Sequence, residues 1–340
     1  MRHYRSDTIE GGNGDDIIYG DGEAESANDG NDIVNGDAGN DNIYGLAGAD
    51  TLDGGTGDDL LYGGSDNDLL YGDAGLDFLY GQGGDDTIYG GSDKDYVEGG
   101  DGNDEIHLEA GNDTASGNEG NDTVHAGDGD DKVFGHYGDD VIYGGDGKDL
   151  VYADTGVENA NDGNDTVYGE GGRDVIFGLG GDDVLYGGAD IDKLFGGSGA
   201  DTLVGGSGVD SLFGGGGDDY LEFGDGIDLL WGQAGADEFT ADANVFDTND
   251  WGRGGVYDWS GTEDTINIAD VLDMAGYQHG TDVLSDFVDV QHSGANSKLY
   301  VDLDGTGTTH SMKEVVQVQN TALDTNVDQL VADGKLDVIV

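Results

Sequence analysis

A nine-residue period runs through about two thirds of this chain, and so short a repeat admits few folds. From Gly11 to Thr240 the sequence divides into 24 nonapeptide units with two interruptions. The first reads GGNGDDIIY (Gly11 to Tyr19); later ones read GGTGDDLLY (Gly54 to Tyr62) and GGDGKDLVY (Gly144 to Tyr152). Position six is Asp in all 24 units. Position four is Gly in 21 units and Asp in three (Asp66, Asp93, Asp190). Position eight is Ile, Val or Leu except at Ala115 and Phe239.

Positions seven to nine suit a short strand with position eight inward and its neighbours outward. The preceding Gly-Gly-x-Gly-x-Asp suits a turn, because glycine reaches positive φ and lets carbonyls converge. Units stacked in parallel build a solenoid in which each contacts only its neighbours. The expected fold is therefore all-β, with a C-terminal segment of mixed α/β character capping the last turn.

One aliphatic side chain per nine residues is a meagre core. Its burial contributes roughly 1.5–3 kcal/mol, far less than the entropy of ordering nine residues, glycine above all. The charge makes matters worse: 75 acidic residues against 11 basic give a net charge of -64. Such a chain is expected to stay unfolded unless a cation supplies the missing positive charge. The regular spacing of the acids, with aliphatics between them, separates it from a solvating acidic tail. Calcium fits best, because it takes six to eight oxygen ligands and mixes carboxylates with carbonyls in flexible geometry. Magnesium demands a tighter octahedron and is the weaker match.

The same composition excludes other classes. Nucleic acid is not a partner for so acidic a chain, and anionic membrane surfaces repel it. With no cysteine there is no disulfide, thiolate nucleophile or Cys-ligated zinc. No apolar run reaches the length of a membrane span, and Met1 to Ser6 lacks the apolar stretch of a cleavable signal peptide. There is no H-E-x-x-H and no G-x-S-x-G, and the seven histidines show no ligand spacing. Enzymatic activity is not expected.

At these residues the sequence resembles the repeats-in-toxin (RTX) family, whose consensus is GGxGxDxUx with U a large aliphatic. The resemblance implies a right-handed parallel β-roll with two nonapeptides per turn. It also implies Ca²⁺ between one turn loop and the loop two units later, on the order of twenty ions. The implied carboxylate ligands are Asp16, Asp32, Asp41, Asp50, Asp59, Asp68, Asp77 and Asp86. They continue with Asp95, Asp104, Asp113, Asp122, Asp131, Asp140, Asp149 and Asp165, then Asp174, Asp183, Asp192, Asp201, Asp210, Asp219, Asp228 and Asp237. The implied carbonyl donors at position four begin with Gly14, Gly30, Gly39, Gly48, Gly57, Gly75, Gly84, Gly102, Gly111, Gly120 and Gly129. They end with Gly138, Gly147, Gly163, Gly172, Gly181, Gly199, Gly208, Gly217, Gly226 and Gly235. Where position four is Asp, a carbonyl is still available. Position two is often not glycine (Leu46, His136, Leu179), and its geometry is left open.

The interruptions each add seven residues, near 23–29 and 156–162, and both run into Ala-Asn-Asp-Gly-Asn-Asp (Ala27 to Asp32, Ala160 to Asp165). They fall in units two and sixteen, so two units per turn would set both on one edge. They are tolerated surface insertions or local binding sites. Position nine carries a second pattern. It is aromatic in 10 of the 12 odd units, Tyr19, Tyr44, Tyr62, Tyr80, Phe134, Tyr152, Phe177, Phe195, Phe213 and Trp231, but in five of the even ones. An aromatic ladder on one sheet follows, either stabilising the strands by stacking or docking a glycan or a neighbouring domain.

Two domains are expected: the roll over 1–240 and a capping, export-signal domain over 241–340. In the second, Asp264 to Met274 reads as a strand running into a short helix, Ser297 to Asp302 and Val315 to Gln319 as strands, Asp304-Gly305 as a turn, and Asn326 to Ala332 as a helix. VLSDFVDV (Val283 to Val290), LYVDLDGTG (Leu299 to Gly307) and VDQLVADGKLDVIV (Val327 to Val340) resemble the C-terminal target domain of type I secreted RTX proteins. At the other end, Asp7 to Glu10 fits positions six to nine of an earlier unit, which suggests a piece of a longer protein.

The leading functional expectation is a non-catalytic calcium-binding module that folds outside the cell and carries the type I secretion signal of a larger protein, a bacterial surface adhesin. Its partners would be Ca²⁺, the type I secretion machinery, upstream domains of the same chain, and a glycan or cell surface. Its location would be extracellular or at the bacterial surface. The alternative is a carbohydrate-binding module of a secreted polysaccharide-modifying enzyme; a third is a structural spacer.

Overall fold

The computed structural model describes residues 6–20, 30–155, 162–241, 254–257, 264–267, 288–293, 296–302, 312–318 and 336–337. They fall into two compact units, Met1–Leu179 and Gly180–Val340. In the first unit, successive strands alternate between two sheets. One sheet starts with Thr8–Asn13, Ile33–Ala38 and Thr51–Thr56 and runs on to Thr166–Gly172. The other starts with Ile17–Tyr19, Asn42–Ala47 and Leu60–Ser65 and runs on to Val175–Gly180. All pairing here is parallel, with Asn42 opposite Leu60 and Thr51 opposite Leu69. Partners are thus two nonapeptides apart, and two units make one turn of a parallel β-roll.

The strands are longer than the sequence suggests. Leu60–Ser65 runs from position seven of one unit to position three of the next. Alternation carries through, so position one faces inward as well as position eight. Leu52, Leu61, Leu70, Leu79 and Ile88 at position eight have no exposure, and neither do Leu108, Ala126 and Ala153 at position one. The core is therefore a double row. Its second row is mostly glycine because the space there belongs to a carboxylate.

The insertions leave this framework intact. Thr8 pairs with Ile33 and Val141 with Thr166, an offset of 25 residues where the rule is 18. Seven residues enter a turn without altering register. Residues 21–29 and 156–161 of the insertions lie outside the described residues.

In the second unit one sheet holds Val184–Ala189, Thr202–Gly208, Tyr220–Phe223 and Glu238–Ala241, followed by Thr265–Asn267 and Leu336–Asp337. The other holds Lys193–Ser198, Ser211–Gly216, Leu229–Ala234 and Gly254–Val256, then Met312–Val318, Asn296–Asp302 and Val288–Ser293. The nonapeptide period ends near Thr240, yet parallel pairing continues: Leu230 faces Val256 and Phe239 faces Ile266. Asn296–Asp302 instead pairs antiparallel with Val288–Ser293 and with Met312–Val318. The strands expected at Ser297 to Asp302 and Val315 to Gln319 are present; the first starts one residue earlier and ends as expected, and the second runs from Met312 to Val318. Both expected helices lie almost wholly outside the described residues, as does Asp304-Gly305; Thr265–Asn267 is strand.

Ile88 sits mid-array with no exposed surface. We expect Ile88→Ala to cost about 2–5 kcal/mol, measured by chemical denaturation in saturating calcium.

Candidate metal centre

The position-six aspartates form two buried columns beside the core, one from the odd-numbered units and one from the even. Asp41, Asp77 and Asp95 are fully buried, and from Asp32 to Asp237 none in either column is more than 4% exposed. One oxygen of each does structural work. Asp59 Oδ1 accepts the Asp41 N–H at 2.7 Å, Asp77 Oδ1 accepts the Asp59 N–H at 2.8 Å, and Asp95 Oδ1 accepts the Asp77 N–H at 2.9 Å. Asp7 joins the other column, that of the even-numbered units, its N–H donating to Asp32 Oδ1 at 2.7 Å, as its place in the repeat implies. The other oxygen is different: Oδ2 of Asp59, Asp68, Asp77, Asp86, Asp95 and Asp104 is buried with no hydrogen-bond donor.

Each orphan oxygen faces a space kept open by glycine. A Cβ added to Gly63 would lie 2.5 Å from Asp68 Oδ2 and 2.8 Å from the Gly81 carbonyl oxygen. The turn carbonyls aim into neighbouring gaps. A Cβ at Gly57 would fall on the Gly39 carbonyl oxygen, and one at Gly64 on that of Leu46. Positions two and four thus present backbone oxygen to the next turn. The side chain carried there does not matter. The Asp66, Asp93 and Asp190 carbonyls aim at Gly84, Gly111 and Gly208 just as glycine carbonyls do. The non-glycine residues accept left-handed backbone for this, with φ 82° at Leu46 and 79° at Asp66, at a cost of about 1–2 kcal/mol each.

The electrostatics match the geometry. Burial pushes the Asp68 and Asp77 carboxyls up from 3.8 to about 8; the hydrogen bond donated by a backbone N–H of the preceding turn opposes this, and neighbouring aspartates add to it. Asp140 reaches about 9, through burial first and then the charges of Asp165, Asp122 and Asp154. A column of carboxylates cannot stay both ionised and buried without a counter-charge. Among the described residues no three acidic or histidine side chains converge on one point, so an ion held here draws further ligands from carbonyls. Hard oxygen donors of both kinds, with no sulfur, suit Ca²⁺.

The chain belongs to the RTX calcium-binding nonapeptide repeat family. Matches to that repeat, in its four-copy form, cover residues 4–24, 26–61, 44–79, 62–97, 89–124, 98–133, 125–157, 159–194, 195–230 and 224–244. The repeats of this RTX chain therefore bind calcium, and their architecture is a calcium-binding β-roll. Among solved structures, a subunit of the Azotobacter vinelandii mannuronan C5-epimerase is 22% identical, over 46% of this chain and 78% of that one, with a TM-score of 0.19. No curated protein matches the chain.

The outer faces of both sheets carry ring stacks. On the second sheet Tyr19, Tyr44, Tyr62 and Tyr80 stack at 4.9–5.2 Å, and Phe134, Tyr152 and Phe177 form another run. The first sheet has a stack that the count of Phe, Tyr and Trp misses: Tyr71 on Tyr89, then His107, His125, Tyr143 and Tyr168. The signal was present, since His107 and His125 both stand at position nine, 18 residues apart.

A raised carboxyl pKa means that the metal-free fold holds protons which the unfolded chain has lost. Its stability is greatest near the unfolded pKa and falls as pH rises toward 8. In excess chelator we expect β-type circular dichroism to grow as pH is lowered from about 8 to about 5. Calcium should flatten this dependence, and a signal indifferent to pH in chelator would contradict the burial of the aspartates.

Proposed function

We propose that each ion sits between successive turn loops and is held by Oδ2 of the position-six aspartates, from Asp16 to Asp237, with carbonyls from positions two and four. The observation that carries this is the buried Oδ2 of Asp59, Asp68, Asp77, Asp86, Asp95 and Asp104, each lacking a hydrogen-bond donor. Calcium is then the condition of folding. An ion that binds only the folded state contributes about 2.7 kcal/mol at a hundredfold excess over its Kd, and the array repeats that contribution at every turn. The module stays unfolded where calcium is scarce and folds outside the cell.

On this reading the chain is a non-catalytic part of a larger secreted protein, a bacterial surface adhesin. It leaves through a type I machinery that reads the segment 241–340. Support comes from the length of the array and from the likeness of Val283 to Val290, Leu299 to Gly307 and Val327 to Val340 to type I target domains. A second reading, a carbohydrate-binding module, draws on the ring stacks of the outer face.

Circular dichroism during calcium titration tests the central claim. We expect coil in chelator and a cooperative rise of β signal at roughly 0.1–1 mM Ca²⁺, with magnesium ineffective at equal concentration. Asp104→Ala removes one mid-array ligand and should raise the midpoint severalfold. A compact, cooperatively melting chain in excess chelator at neutral pH would overturn the proposal.

A further inference from the structure

The ring stack on the second sheet of the first unit is interrupted. Position nine runs Tyr80, Glu98, Ser116, Phe134 across four neighbouring strands, so two rungs are missing. Tyr80 and Phe134 face each other across three strand spacings, about 14 Å. Alongside, Phe78 stacks on Tyr96 at 4.9 Å, and the next residue in that row is Thr114. Beneath lies Ala115, one of the two residues at position eight that are not Ile, Val or Leu. The result is a cavity of about 310 Å³ lined by Tyr80, Tyr96, Glu98, Ser116, Phe134 and His136, in the size range of small-molecule sites.

The chemistry of its walls restricts the occupant. Anions are rejected by the Glu98 carboxylate and by a chain of charge -64. Cations are anticipated on the flanking rings. Lys94 Nζ lies 4.7 Å from the Tyr96 ring centre and Lys132 Nζ 4.6 Å from that of Phe134, so a further ammonium would meet two fixed positive charges. These are two of only 11 basic residues in the chain. His136 adds no charge near neutrality, because burial lowers its pKa. What remains is an uncharged molecule with flat apolar faces and a rim of hydroxyls. The Ser116 hydroxyl, which already donates to Asn118 Oδ1 at 3.1 Å, the Thr114 hydroxyl and the Glu98 carboxylate supply polar partners around the ring faces.

We propose that this gap is a binding site for a neutral pyranose sugar, one or two rings long, stacked between Tyr80 and Phe134 with its hydroxyls toward Glu98. The proposal rests on reading the outer face as glycan-binding, and it names the place and the ligand class. It does not depend on export or on adhesion.

The test uses the full chain in saturating calcium, titrated calorimetrically with maltose, cellobiose, mannobiose and galactobiose, each sample checked by circular dichroism. We expect at least one disaccharide to bind. Ser116→Tyr, which adds a rung to the stack, should weaken binding about tenfold or more while leaving the calcium-induced β signal intact. Phe134→Ala should weaken binding by a similar factor. Binding of none of the four by a chain that folds normally with calcium would overturn the cleft assignment and leave the calcium reading standing. Undiminished binding by Ser116→Tyr, or a preference for tetramethylammonium over every sugar, would overturn it as well.

Discussion

The structure turns on one unpaired atom repeated along the chain. From Asp59 to Asp104, turn after turn buries a carboxylate whose first oxygen is tied to an amide of the turn before, leaving the second oxygen with no hydrogen-bond donor among the described residues. Burying an ionised carboxylate without a partner costs several kcal/mol, and the narrow aliphatic row beside the column cannot offset a series of such sites. Fold and ligand are therefore one problem. The geometry that makes the metal-free state unfavourable is the geometry that accepts a divalent ion.

Backbone conformation prepares that acceptance. Left-handed φ at positions two and four turns successive carbonyls toward the following loop, a conformation that glycine reaches without strain. The demand falls on the backbone and not on the side chain, which is why Leu46, Asp66 and His136 hold the same geometry as their glycine equivalents. The position-one glycine has a different reason: its missing side chain leaves room for the carboxylate. Where the neighbouring space allows, Leu108 and Ala126 take that position and enlarge the core.

The period, the parallel stacking, the inward position eight and the columns of aspartates were legible because each is a strict function of place in the repeat. Strand length was not, since positions one to three read as turn glycines; hydrogen bonding to the adjacent turn, such as Gly39 N–H to the Thr56 carbonyl at 2.9 Å, draws them into the ladder. The histidines at 107 and 125 were hidden because only Phe, Tyr and Trp were counted as rings, although in a stack an imidazole behaves as one more flat ring. The interruption at Glu98 and Ser116 could be counted from sequence, but its meaning needed Phe78, Tyr96 and His136 brought around it. Past Thr240 no period guides the reading, and parallel strands such as Gly254–Val256 arise from pairing with the turn before and not from local pattern.

The offset of 18 residues between partners has an evolutionary consequence. Loss or gain of a single nonapeptide would transfer every later strand to the opposite sheet, exchanging the tyrosine-rich face with the histidine-bearing one and scrambling both ring stacks. A double unit could be copied or deleted with all neighbours preserved. Growth and shrinkage of such an array should thus proceed by even numbers, with the contrast between its two faces kept as a record of that parity.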